Sequence, residues 1–564
     1  MIEKSILSNS KNMLKIIPLG GLGEIGLNMM VVEYEDTIII IDAGLMFPED
    51  YMFGVDYVIP DMDYIRANKA KVAGIILTHA HEDHIGALPY LLKEVNVPVY
   101  ATAFTLGLLR HKLDEHGLLP ASFLSEVSPR KKITISPFEI EFIRVNHSVV
   151  DGVGLAITTP VGRIVHTGDF KLSAANIHEM NTDVARFEEL GEEGEGVLVL
   201  LSDSTNVEKD GKAISDEVVG QTFDKIITRS AGRVFVALFA SNIARIQQIV
   251  DIIKFKNRKI VFNGRSIELS VKTAIDLNML HIPHGMTVDI SEIEDYPPEE
   301  ILIMTTGSQG EPMSALTRMS TGMHKHIQVV KGDTVILSSK FIPGNEKAIA
   351  KIINNLFRKG ADVIYEKISA IHVSGHAFRD ELKTMINLTM PDYFIPIHGE
   401  YRHLFHHAQL AEETGIPRDH ILLAENGQVI EFDQNGGRIN GAVSTSRILV
   451  DGKGIGDVGR SVLKERRLLS EEGLVVVTLA LDEDSGFVVY GPEITSRGFV
   501  FESETGHIIE DAKCVILEII EEVSILEPAH RTEAIRKKIH RALREYFTFT
   551  MKRRPVILPF ILQV

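Results

Sequence analysis

One short segment restricts the folds open to this chain more than any other. Residues 77–86, LTHAHEDHIG, place four side chains that can bind metal within six positions: His79, His81, Asp83 and His84. The segment follows an apolar run typical of a buried strand and precedes a helical pattern, so we expect a rigid scaffold to hold the loop. The alternating histidines can point to one side while the adjacent Asp83 and His84 diverge. One loop can therefore serve two metal ions.

Further ligand candidates occur where predicted strands end. They are His147 in FEIEFIRVNHS, Asp169 in GRIVHTGDF and His398 in DYFIPIHGE. Each alone is equally well explained as a capping or turn residue. Together with the loop they supply seven ligands, the number that two metal ions sharing one carboxylate require. Imidazole and carboxylate favour Zn²⁺, with Mn²⁺ or iron as competitors, and the lack of thiolates argues against a closed structural zinc site.

The length of the chain excludes a single hydrophobic core. Its 564 residues predict about two to four domains, and 45% hydrophobic with 24% charged residues is the balance of an ordinary globular protein. We expect no membrane span, because no apolar stretch approaches about 18 residues, and no signal peptide, because the first residues lack an apolar core. The one cysteine, Cys514, cannot form an internal disulfide, which favours a reducing cytoplasm. Its helical pattern, AKCVILEIIEEV, predicts a core position for Cys514.

The formal charge of −18 speaks against a polyanionic ligand, but the charges are unevenly distributed. Residues 531–554 carry nine Lys and Arg against two acidic residues, whereas residues 179–195 carry seven acidic residues against one Arg. Solvated surface alone explains both segments. The asymmetry permits a basic surface without establishing one.

Two patterns of predicted elements follow one another along the chain. Residues 14–203 contain short strands with occasional helices, typical of an α/β or α+β domain. From about residue 215 to 370 strands and helices alternate regularly, which favours a mostly parallel sheet in a second α/β domain. Residues 441–470 are rich in Gly and polar residues, typical of a linker. The remainder, LVVVTLALDEDSGFVVYG followed by two helices, predicts a small third α+β domain.

A glycine motif near the start raises the question of a dinucleotide site. Residues 21–26, GLGEIG, match G-x-G-x-x-G after an apolar run. The dinucleotide fingerprint also needs a helix directly after the glycines, but LNMMVVEYEDTIIIIDAG is rich in β-formers. We therefore interpret the glycines as a tight turn near an active site.

The ligand order resembles that of the metallo-β-lactamase superfamily of dinuclear metallohydrolases. The matching positions are His79-x-His81-x-Asp83-His84, followed by His147, Asp169 and His398. The resemblance implies that His79, His81 and His147 hold one metal, that Asp83, His84 and His398 hold the other, and that Asp169 bridges them. It also implies an αββα sandwich of two mixed sheets with the site at one edge.

The 229 residues between Asp169 and His398 imply that the second α/β domain is inserted between two ligands of one site. That insertion is similar to the β-CASP group, whose members cut nucleic acids, with Asp203 in LLSDSTN, His376 in HVSGH and His398 matching its motifs. Other matching segments are GGLGEIG, DAGLMFPED, VIPD, TGSQGEP, PIHGEYRH, SRGFV and RRPVILP. They cover nearly the whole chain and resemble the bacterial ribonuclease J family, in its form with all metal positions filled.

We therefore predict an αββα metallo-β-lactamase sandwich with an inserted α/β β-CASP domain and a small C-terminal α+β domain. The predicted boundaries are residues 1–215 and 371–445 for the sandwich, 216–370 for the insertion, 446–468 for a linker and 469–564 for the C-terminal domain. The implied activity is a metal-dependent ribonuclease with 5′-to-3′ exonuclease activity that prefers a 5′ monophosphate, together with endonuclease activity. Its implied roles are RNA decay and the processing of rRNA and mRNA.

The resemblance also implies roles for individual residues. The catalytic set is Asp83, Asp203 and His376, in which Asp203 orients His376 as the general acid for the leaving 3′ oxygen. Substrate binding is implied for residues 372–376, which are His372, Val373, Ser374, Gly375 and His376. Candidates for a 5′-phosphate pocket are Ser241, Arg265 and Ser266. A calcium site would use Gly54, Asp56 and Asp451.

The implied cofactors are two Zn²⁺ or Mn²⁺ ions per subunit and one structural Ca²⁺. The implied partners are single-stranded RNA and copies of the chain in a homodimer or homotetramer, with a paralogous subunit as a further partner, and no membrane. The basic helix that follows Arg531 faces either RNA or a partner subunit, and the sequence does not separate the two. If RNA is the substrate, we expect a locally positive channel between the lobes despite the net charge.

Two other functions stay open. A dinuclear hydrolase of a small-molecule ester, thioester or lactam shares the first ligands but does not explain the inserted domain or HVSGH. A non-catalytic subunit of an RNA-decay complex is favoured by missing ligands, and none is missing here.

Overall fold

A computed structural model describes residues 12–49, 51–172, 181–311, 313–339, 345–366, 368–452, 454–499, 506–523 and 528–564. The chain divides into two compact units. The first comprises the chain up to residue 47 together with residues 58–448, and the second comprises residues 48–57 and 449–564. No helix in the described ranges has the length and apolar character that crossing a membrane requires.

The chain up to Asp203 alternates strands with short helices. Its elements are β1 (Leu14–Gly20), β2 (Leu22–Gly23), β3 (Met29–Tyr34), β4 (Thr37–Ile41), β5 (Tyr57–Pro60), α1 (Asp63–Ala67), β6 (Val72–Ile76), α2 (Glu82–Ile85), α3 (Leu88–Glu94), β7 (Val99–Ala101), α4 (Ala103–Glu115), β8 (Leu124–Glu126), β9 (Lys132–Ile135), β10 (Phe138–Arg144), β11 (Val153–Thr158), β12 (Arg163–His166), α5 (Val184–Glu192) and β13 (Val199–Asp203).

A regular strand-helix alternation follows, and the sandwich then resumes. The alternating elements are α6 (Asp216–Arg229), β14 (Val234–Ala237), α7 (Ile243–Ile253), β15 (Lys259–Asn263), α8 (Arg265–Asp276), β16 (Ile301–Thr305), α9 (Ala315–Thr321), β17 (Thr334–Leu337), α10 (Glu346–Arg358) and β18 (Asp362–Tyr365). The resumed elements are α11 (Arg379–Thr389), β19 (Tyr393–Ile397), β20 (Gly399–Glu400), α12 (Tyr401–Glu413), β21 (Gln428–Asp433) and β22 (Gly436–Ala442).

Two mixed sheets form the sandwich of the first unit. One has the strand order β22-β21-β1-β3-β4-β6-β7-β8, and the other has the order β19-β13-β12-β11-β10-β9. Buried side chains of both sheets share one core, in which Val32 and Ile39 of the first sheet join Phe142 and Leu155 of the second. A second core packs α5, α11 and α12 on the outer face of the second sheet, through Phe187, Leu382 and other apolar residues. The predicted αββα architecture is confirmed.

The insertion is a separate parallel sheet within the first unit. Its order is β15-β16-β14-β17-β18, and every neighbouring pair is parallel, as the strand-helix alternation predicts. Its strands are nearly all apolar because helices cover both faces of such a sheet. The flanking strands β13 and β19 are parallel neighbours, with Asp203 opposite Ile397. The insertion therefore leaves the sandwich and returns to it at adjacent strands.

The second unit contains the small α+β domain. Its elements are β23 (Arg447–Asp451), β24 (Gly454–Ile455), α13 (Arg460–Glu472), β25 (Leu474–Leu481), β26 (Val488–Arg497), α14 (Gly506–Val523), α15 (Pro528–Met551) and β27 (Val556–Gln563). Strands β26-β25-β27 form one sheet, and α14 and α15 share its core.

Two details differ from the sequence analysis. Cys514 is exposed, so its predicted core position is wrong: α14 buries Ala512, Ile516 and Ile520 on the face away from Cys514. The predicted linker, residues 446–468, contains β23, β24 and most of α13. Its Gly and polar residues occur in turns and on a helix without buried residues, and therefore resemble a linker in composition.

Candidate metal centre

The seven predicted metal ligands come together where strands of the sandwich end. His79 and His81 follow β6, and Asp83 and His84 lie in α2 directly after them. The others follow β10, β12 and β19 and are His147, Asp169 and His398. Because β12, β13 and β19 are parallel, their carboxyl ends meet at one edge of the sheet, which brings residues distant in sequence together.

The ligand atoms form two groups that share one carboxylate. One group is His79, His81, His147 and Asp169, and the other is Asp83, His84, Asp169 and His398. In the first group His81 Nδ1 lies 3.0 Å from His79 Nε2 and 3.1 Å from His147 Nε2. Asp169 Oδ2 lies between 3.3 and 3.7 Å from the Nε2 atoms of four histidines. Asp169 is the residue common to both groups.

Hydrogen bonds on the outer side of the rings set their orientation. His84 Nδ1 donates to Asp42 Oδ2 at 2.8 Å, and His147 Nδ1 donates to the Gly375 carbonyl at 2.7 Å. His398 Nδ1 lies 2.8 Å from Thr205 Oγ1, which donates its own proton to Asp203 and so accepts from the ring. These hydrogen bonds keep a proton on Nδ1 and turn the Nε2 atom of all three rings toward the centre.

Sequence reasoning missed these supporting residues. Asp42 follows β4 and also accepts from the backbone N–H and hydroxyl of Thr78, both at 2.8 Å. Thr78 Oγ1 in turn lies 3.1 Å from His79 Nδ1. Two sequence signals could have pointed to these residues. Asp42 directly follows the apolar run TIIII and begins the matched segment DAGLMFPED, and Thr205 lies within the matched segment LLSDSTN. Neither pattern states which histidine is the partner.

Glycines and left-handed backbone let the ligand segments approach closely. A Cβ on Gly44 would lie 1.6 Å from the Asp83 carbonyl oxygen, and one on Gly375 would lie 2.5 Å from the His147 ring. Asp42 and His398 have φ angles of 61° and 53°, a region that non-glycine residues rarely adopt. Such strained backbone concentrates at functional sites, where the surrounding structure holds it in place.

Burial and mutual charge shift the ligands in opposite directions. Burial lowers the pKa of His79 and His147 well below the usual value and that of His81 to about 4, so these rings are neutral ligands. Burial also acts on His84 and His398, but Asp169 and neighbouring carboxylates outweigh it and raise their pKa well above the usual value. Asp169 is nearly fully buried, yet His398 and His84 hold its pKa well below the usual range.

A carboxylate-imidazole pair adjoins the centre. Asp203 at the end of β13 is 1% exposed, and its Oδ2 accepts from His376 Nδ1 at 2.8 Å. The backbone N–H and the hydroxyl of Thr205 donate to the other Asp203 oxygen. Burial raises the pKa of Asp203, but His376 outweighs this effect and holds it well below the usual range. The pair lies beside the metal ligands, since Asp169, Asp203, His376 and His398 also form one cluster.

The HVSGH segment supplies further polar groups next to this pair. Ser374 Oγ accepts from Asn206 Nδ2 at 2.6 Å, while the side chain of Val373 is buried. His372 contacts the backbone of Ser338 in the insertion. Sequence reasoning missed Asn206, although it stands three residues after Asp203 in the matched motif.

The three residues predicted for a 5′-phosphate pocket follow two different strands of the inserted sheet. Ser241 follows β14 and is buried, whereas Arg265 and Ser266 begin α8 after β15 and are exposed. Strand β16 lies between β14 and β15 in the sheet. The Arg265 guanidinium pairs with Glu115 of α4.

The predicted calcium ligands lie in the second unit and are bound to protein groups. Asp56 Oδ2 accepts the Gly452 N–H at 2.7 Å, and Asp451 Oδ2 pairs with Arg466 Nη2 at 2.5 Å. A Cβ on Gly54 would lie 2.8 Å from the same guanidinium. Arg466 therefore lies beside both Asp451 and Gly54.

The glycine motif forms turns beside the metal centre. Gly21, Gly23 and Gly26 have positive φ, and β3 rather than a helix follows them. Strand β2 pairs with β20, directly after His398, and Gly20 and Gly21 line a small cavity with His84 and Asp169. A dinucleotide fingerprint is absent here because the required helix is replaced by a strand.

Family models match most of the chain. "Metallo-beta-lactamase superfamily" matches residues 22–212, and "Ribonuclease J, beta-CASP domain" matches residues 231–356. "Zn-dependent metallo-hydrolase RNA specificity domain" matches residues 360–421, and "Ribonuclease J C-terminal domain" matches residues 461–564. The superfamily and the His/Asp cluster together support binding of divalent metal.

Relatives match along the whole length. Ribonuclease J 1 of Streptococcus pyogenes is 42% identical, and Ribonuclease J2 of Bacillus subtilis is 40% identical, each over 99% of both chains. Ribonuclease J of Thermus thermophilus is 41% identical over 97% of this chain and 95% of its own. A crystal structure of a protein of unknown function from Enterococcus faecalis, 16% identical, shares the fold with a TM-score of 0.52 over 74% of this chain and all of that one. With ligands, inserted sheet and full-length relatives in agreement, the chain belongs to the ribonuclease J family.

Proposed function

We propose that this metal-dependent ribonuclease removes nucleotides in the 5′-to-3′ direction from RNA with a 5′ monophosphate and also cuts internally. Its cellular roles in this proposal are RNA decay and the processing of rRNA and mRNA. One observation carries the proposal: the Asp203–His376 pair, with its 2.8 Å hydrogen bond, adjoins the shared carboxylate Asp169 of the metal centre. A proton donor for the leaving group thus lies beside the groups that bind metal.

We propose two Zn²⁺ or Mn²⁺ ions. His79, His81 and His147 would hold one, Asp83, His84 and His398 the other, and Asp169 both. The fit is supported by His81 Nδ1, which lies 3.0 Å from His79 Nε2 and 3.1 Å from His147 Nε2. A single ring N–H can donate well to only one of the other two nitrogens, whereas a metal ion accepts all three lone pairs. Bound divalent cations would supply Lewis acidity, which makes water a better nucleophile and neutralises charge on the phosphate.

The Asp203–His376 pair would protonate the leaving 3′ oxygen. The buried Asp203 carboxylate holds the proton of His376 on Nδ1, which directs Nε2 to exchange protons with substrate. His376 is 20% exposed in its side chain, so RNA can reach it, whereas Asp203 is shielded from water. The product would carry a 5′ phosphate.

HVSGH would hold a phosphate of the substrate. Ser374 Oγ already accepts hydrogen bonds from Asn206 Nδ2 and the His376 N–H, so its own proton is directed to an outside acceptor. His372, the backbone of Val373 and Gly375, and His376 complete this segment. Ser241, Arg265 and Ser266 would form the 5′-phosphate pocket, for which Arg265 must first leave Glu115.

The remaining features of the proposal rest on the family alone. They are a cytoplasmic location, a homodimer or homotetramer that also takes a paralogous subunit, and the domain boundaries given above. A structural Ca²⁺ at Gly54, Asp56 and Asp451 would bind in this chain only after displacing Arg466 from Asp451, so its affinity would be low.

The test is a cleavage assay on one RNA labelled at its 5′ end, prepared with either a monophosphate or a triphosphate. Mn²⁺ or Zn²⁺ is supplied, and Asp83→Ala is the control. We expect rapid release of the labelled mononucleotide from the monophosphate form only, and no release by Asp83→Ala.

Cleavage of neither RNA, under metals that fill the site, would overturn the proposal. The alternative functions, a small-molecule hydrolase or a non-catalytic subunit of an RNA-decay complex, would then be favoured. If both RNAs give internal fragments and no labelled mononucleotide, the result would contradict the proposed exonuclease activity and support the proposed endonuclease activity.

A further inference from the structure

His407, a fully buried residue of α12, takes no part in the mechanism proposed above. Its Nδ1 atom lies 2.9 Å from the hydroxyl oxygen of Ser204, the residue directly after Asp203. Within the described ranges the other ring nitrogen, Nε2, has no hydrogen-bond partner. The core around α12 is apolar, and the Phe394 ring packs against the His407 ring with 4.8 Å between centroids. A buried polar side chain in such surroundings needs an explanation.

The neighbouring groups decide which nitrogen of His407 carries the proton. Burial lowers the pKa of His407 to about 3, so the ring is neutral and has a single N–H. The Ser204 hydroxyl donates to the carbonyl of Ser202 at 3.3 Å, which leaves the Ser204 oxygen as an acceptor. The ring proton therefore lies on Nδ1 and is donated to Ser204. A proton on Nε2 would instead be buried with no acceptor in the part of the chain that the structure describes.

Ser204 lies in a short segment that serves both the metal centre and the proton donor. Asp203, directly before it, accepts from His376. Thr205, directly after it, donates to Asp203 and accepts from His398. The backbone N–H of Ser204 itself donates to the carbonyl of His398 at 3.3 Å. A displaced Ser204 would therefore move the carboxylate that orients His376.

Stability alone does not favour a histidine at position 407. Its Nε2 atom loses contact with water on folding without gaining a hydrogen bond, and such a group costs free energy. An apolar side chain of similar volume would avoid this cost and would also pack against Phe394. The hydrogen bond to Ser204 is therefore a better explanation for His407 than the packing of the core.

We propose that His407 is a positioning residue for the cleavage reaction: its Nδ1–H holds Ser204 and thereby places Asp203 to orient His376. The hydrogen bond connects α12 to the end of β13, so one element fixes the carboxylate carried by another. This inference rests on the proposed function, because His376 acts as the proton donor only in that reaction.

Three substitutions of His407 separate positioning from packing. His407→Phe and His407→Leu remove the Nδ1 donor and keep an apolar side chain in the core, and either folded variant is sufficient to decide. His407→Asn keeps a donor, because its amide nitrogen can take the place of Nδ1, but it leaves a cavity. The matched control is Leu410→Ala, which opens a cavity on the same helix and in the same core.

Stability and activity should change in opposite orders. We expect His407→Phe or His407→Leu to keep or raise the Tm and to lower kcat by about 10 to 100-fold, with KM and metal content unchanged. His407→Asn should lower the Tm but keep kcat within about threefold of the wild type. Leu410→Ala should likewise lower the Tm and keep kcat. A role in packing alone would instead make kcat fall with the Tm. Thermal unfolding, elemental analysis and steady-state cleavage of an RNA with a 5′ monophosphate measure these quantities.

A substrate with a better leaving group identifies the affected step. In an RNA with sulfur in place of the leaving 3′ oxygen, the departing thiolate needs no proton, so the general acid contributes little. On this substrate we expect the apolar variants of His407, and His376→Gln beside them, to cleave within about threefold of the wild-type rate.

Two results would overturn the inference and leave the proposed function standing. One is an unchanged kcat in a folded His407→Phe or His407→Leu. The other is a loss in these variants that persists on the sulfur substrate while the loss in His376→Gln disappears. If the loss in His376→Gln persists as well, or if the wild type cuts neither RNA, the proposed function would be wrong instead.

Discussion

The metal centre and the predicted calcium site both gather carboxylates that are distant in sequence, but they differ in what balances the charge. In the metal centre the carboxylates Asp83 and Asp169 face histidine nitrogens, and no Lys or Arg pairs with either in the described ranges. In the calcium candidate Arg466 already pairs with Asp451, and a backbone N–H binds Asp56.

The difference shows that carboxylate position alone does not define a metal site. Carboxylates that face only imidazole nitrogens leave lone pairs for a metal ion once the rings are neutral, whereas a carboxylate that already holds a guanidinium is balanced. The five predictions below test this distinction, beginning with the largest effect.

Replacing the shared carboxylate tests the metal centre itself. We expect Asp169→Asn to lose metal from both groups and to lower RNA cleavage by about a thousandfold or more. The matched change in the other site, Asp451→Asn, should alter cleavage by less than about twofold. Elemental analysis of the purified proteins and cleavage rates check both. Full metal content in Asp169→Asn would contradict the shared role.

Replacing the proposed proton donor, His376, tests whether the cleavage rate can fall while the metal content is unchanged. His376→Gln should lower the cleavage rate by about 10² to 10⁴-fold and keep the metal content, because His376 hydrogen-bonds to Asp203 rather than orienting a ligand ring. Asp203→Asn should give a loss of similar size. Metal loss in His376→Gln as large as in Asp169→Asn would place His376 among the ligands instead.

Thr205 connects the proton donor to the metal centre. Its hydroxyl donates to Asp203 and accepts from His398 Nδ1 at 2.8 Å, so Thr205→Val should weaken metal affinity and activity by about 10 to 100-fold. Thr205→Ser keeps the hydroxyl and should recover activity to within about threefold. A metal titration followed by cleavage compares the two, and equal loss in both would point to packing instead.

A half-buried carboxylate outside both sites, Asp151, forms no ion pair with Lys or Arg in the described ranges. Burial raises the pKa of Asp151 to about 6, although its Oδ2 accepts the Phe104 N–H at 3.2 Å. A raised folded-state pKa stabilises the protein at low pH, and this contribution is lost as pH rises through about 6.

Asp151→Asn removes this pH dependence. Relative to the wild type, the variant should gain about 1 to 2 kcal/mol in free energy of unfolding between pH 4.5 and pH 7.5. Asn also suits the φ of 68° at this position. Urea unfolding at the two pH values measures the gain, and a constant difference would contradict the raised pKa.

The smallest effect is expected at the calcium candidate. Arg466 already pairs with Asp451 at this site. A Ca²⁺ concentration of about 2 mM, close to the dissociation constant of a weak calcium site, should therefore raise the wild-type Tm by less than about 1 °C. Arg466→Gln removes the competing cation and should give the larger calcium-dependent increase. An increase of several degrees in the wild type, with none in Arg466→Gln, would show that Arg466 supports calcium binding.

The sequence predicts the ligands better than their supports. The seven proposed ligands were predicted because they occur at strand ends with a characteristic spacing, and because the family resemblance supports the same positions. Thr205 and Asp42 were not, because their roles depend on which strands become neighbours: β13 beside β19, and β4 beside β6. Spacing along the chain does not contain that pairing.

Surface and charge were the least predictable features. Cys514 lies on an apolar-patterned helix, yet helical periodicity does not state which part of the apolar arc faces the core. Arg466 lies fifteen residues after Asp451 in the sequence and reaches it only because α13 returns to that loop. The −18 charge likewise gave no sign of the buried ion pairs that Asp216 forms with Lys171 and Arg245, since net charge says nothing about where charges lie.

The most direct test of the central claim is a crystal structure of the zinc-loaded protein with anomalous scattering recorded at the zinc edge. We predict two peaks, one among His79, His81 and His147 and the other among Asp83, His84 and His398, with Asp169 touching both. A single peak, or peaks outside these two groups, would contradict the account.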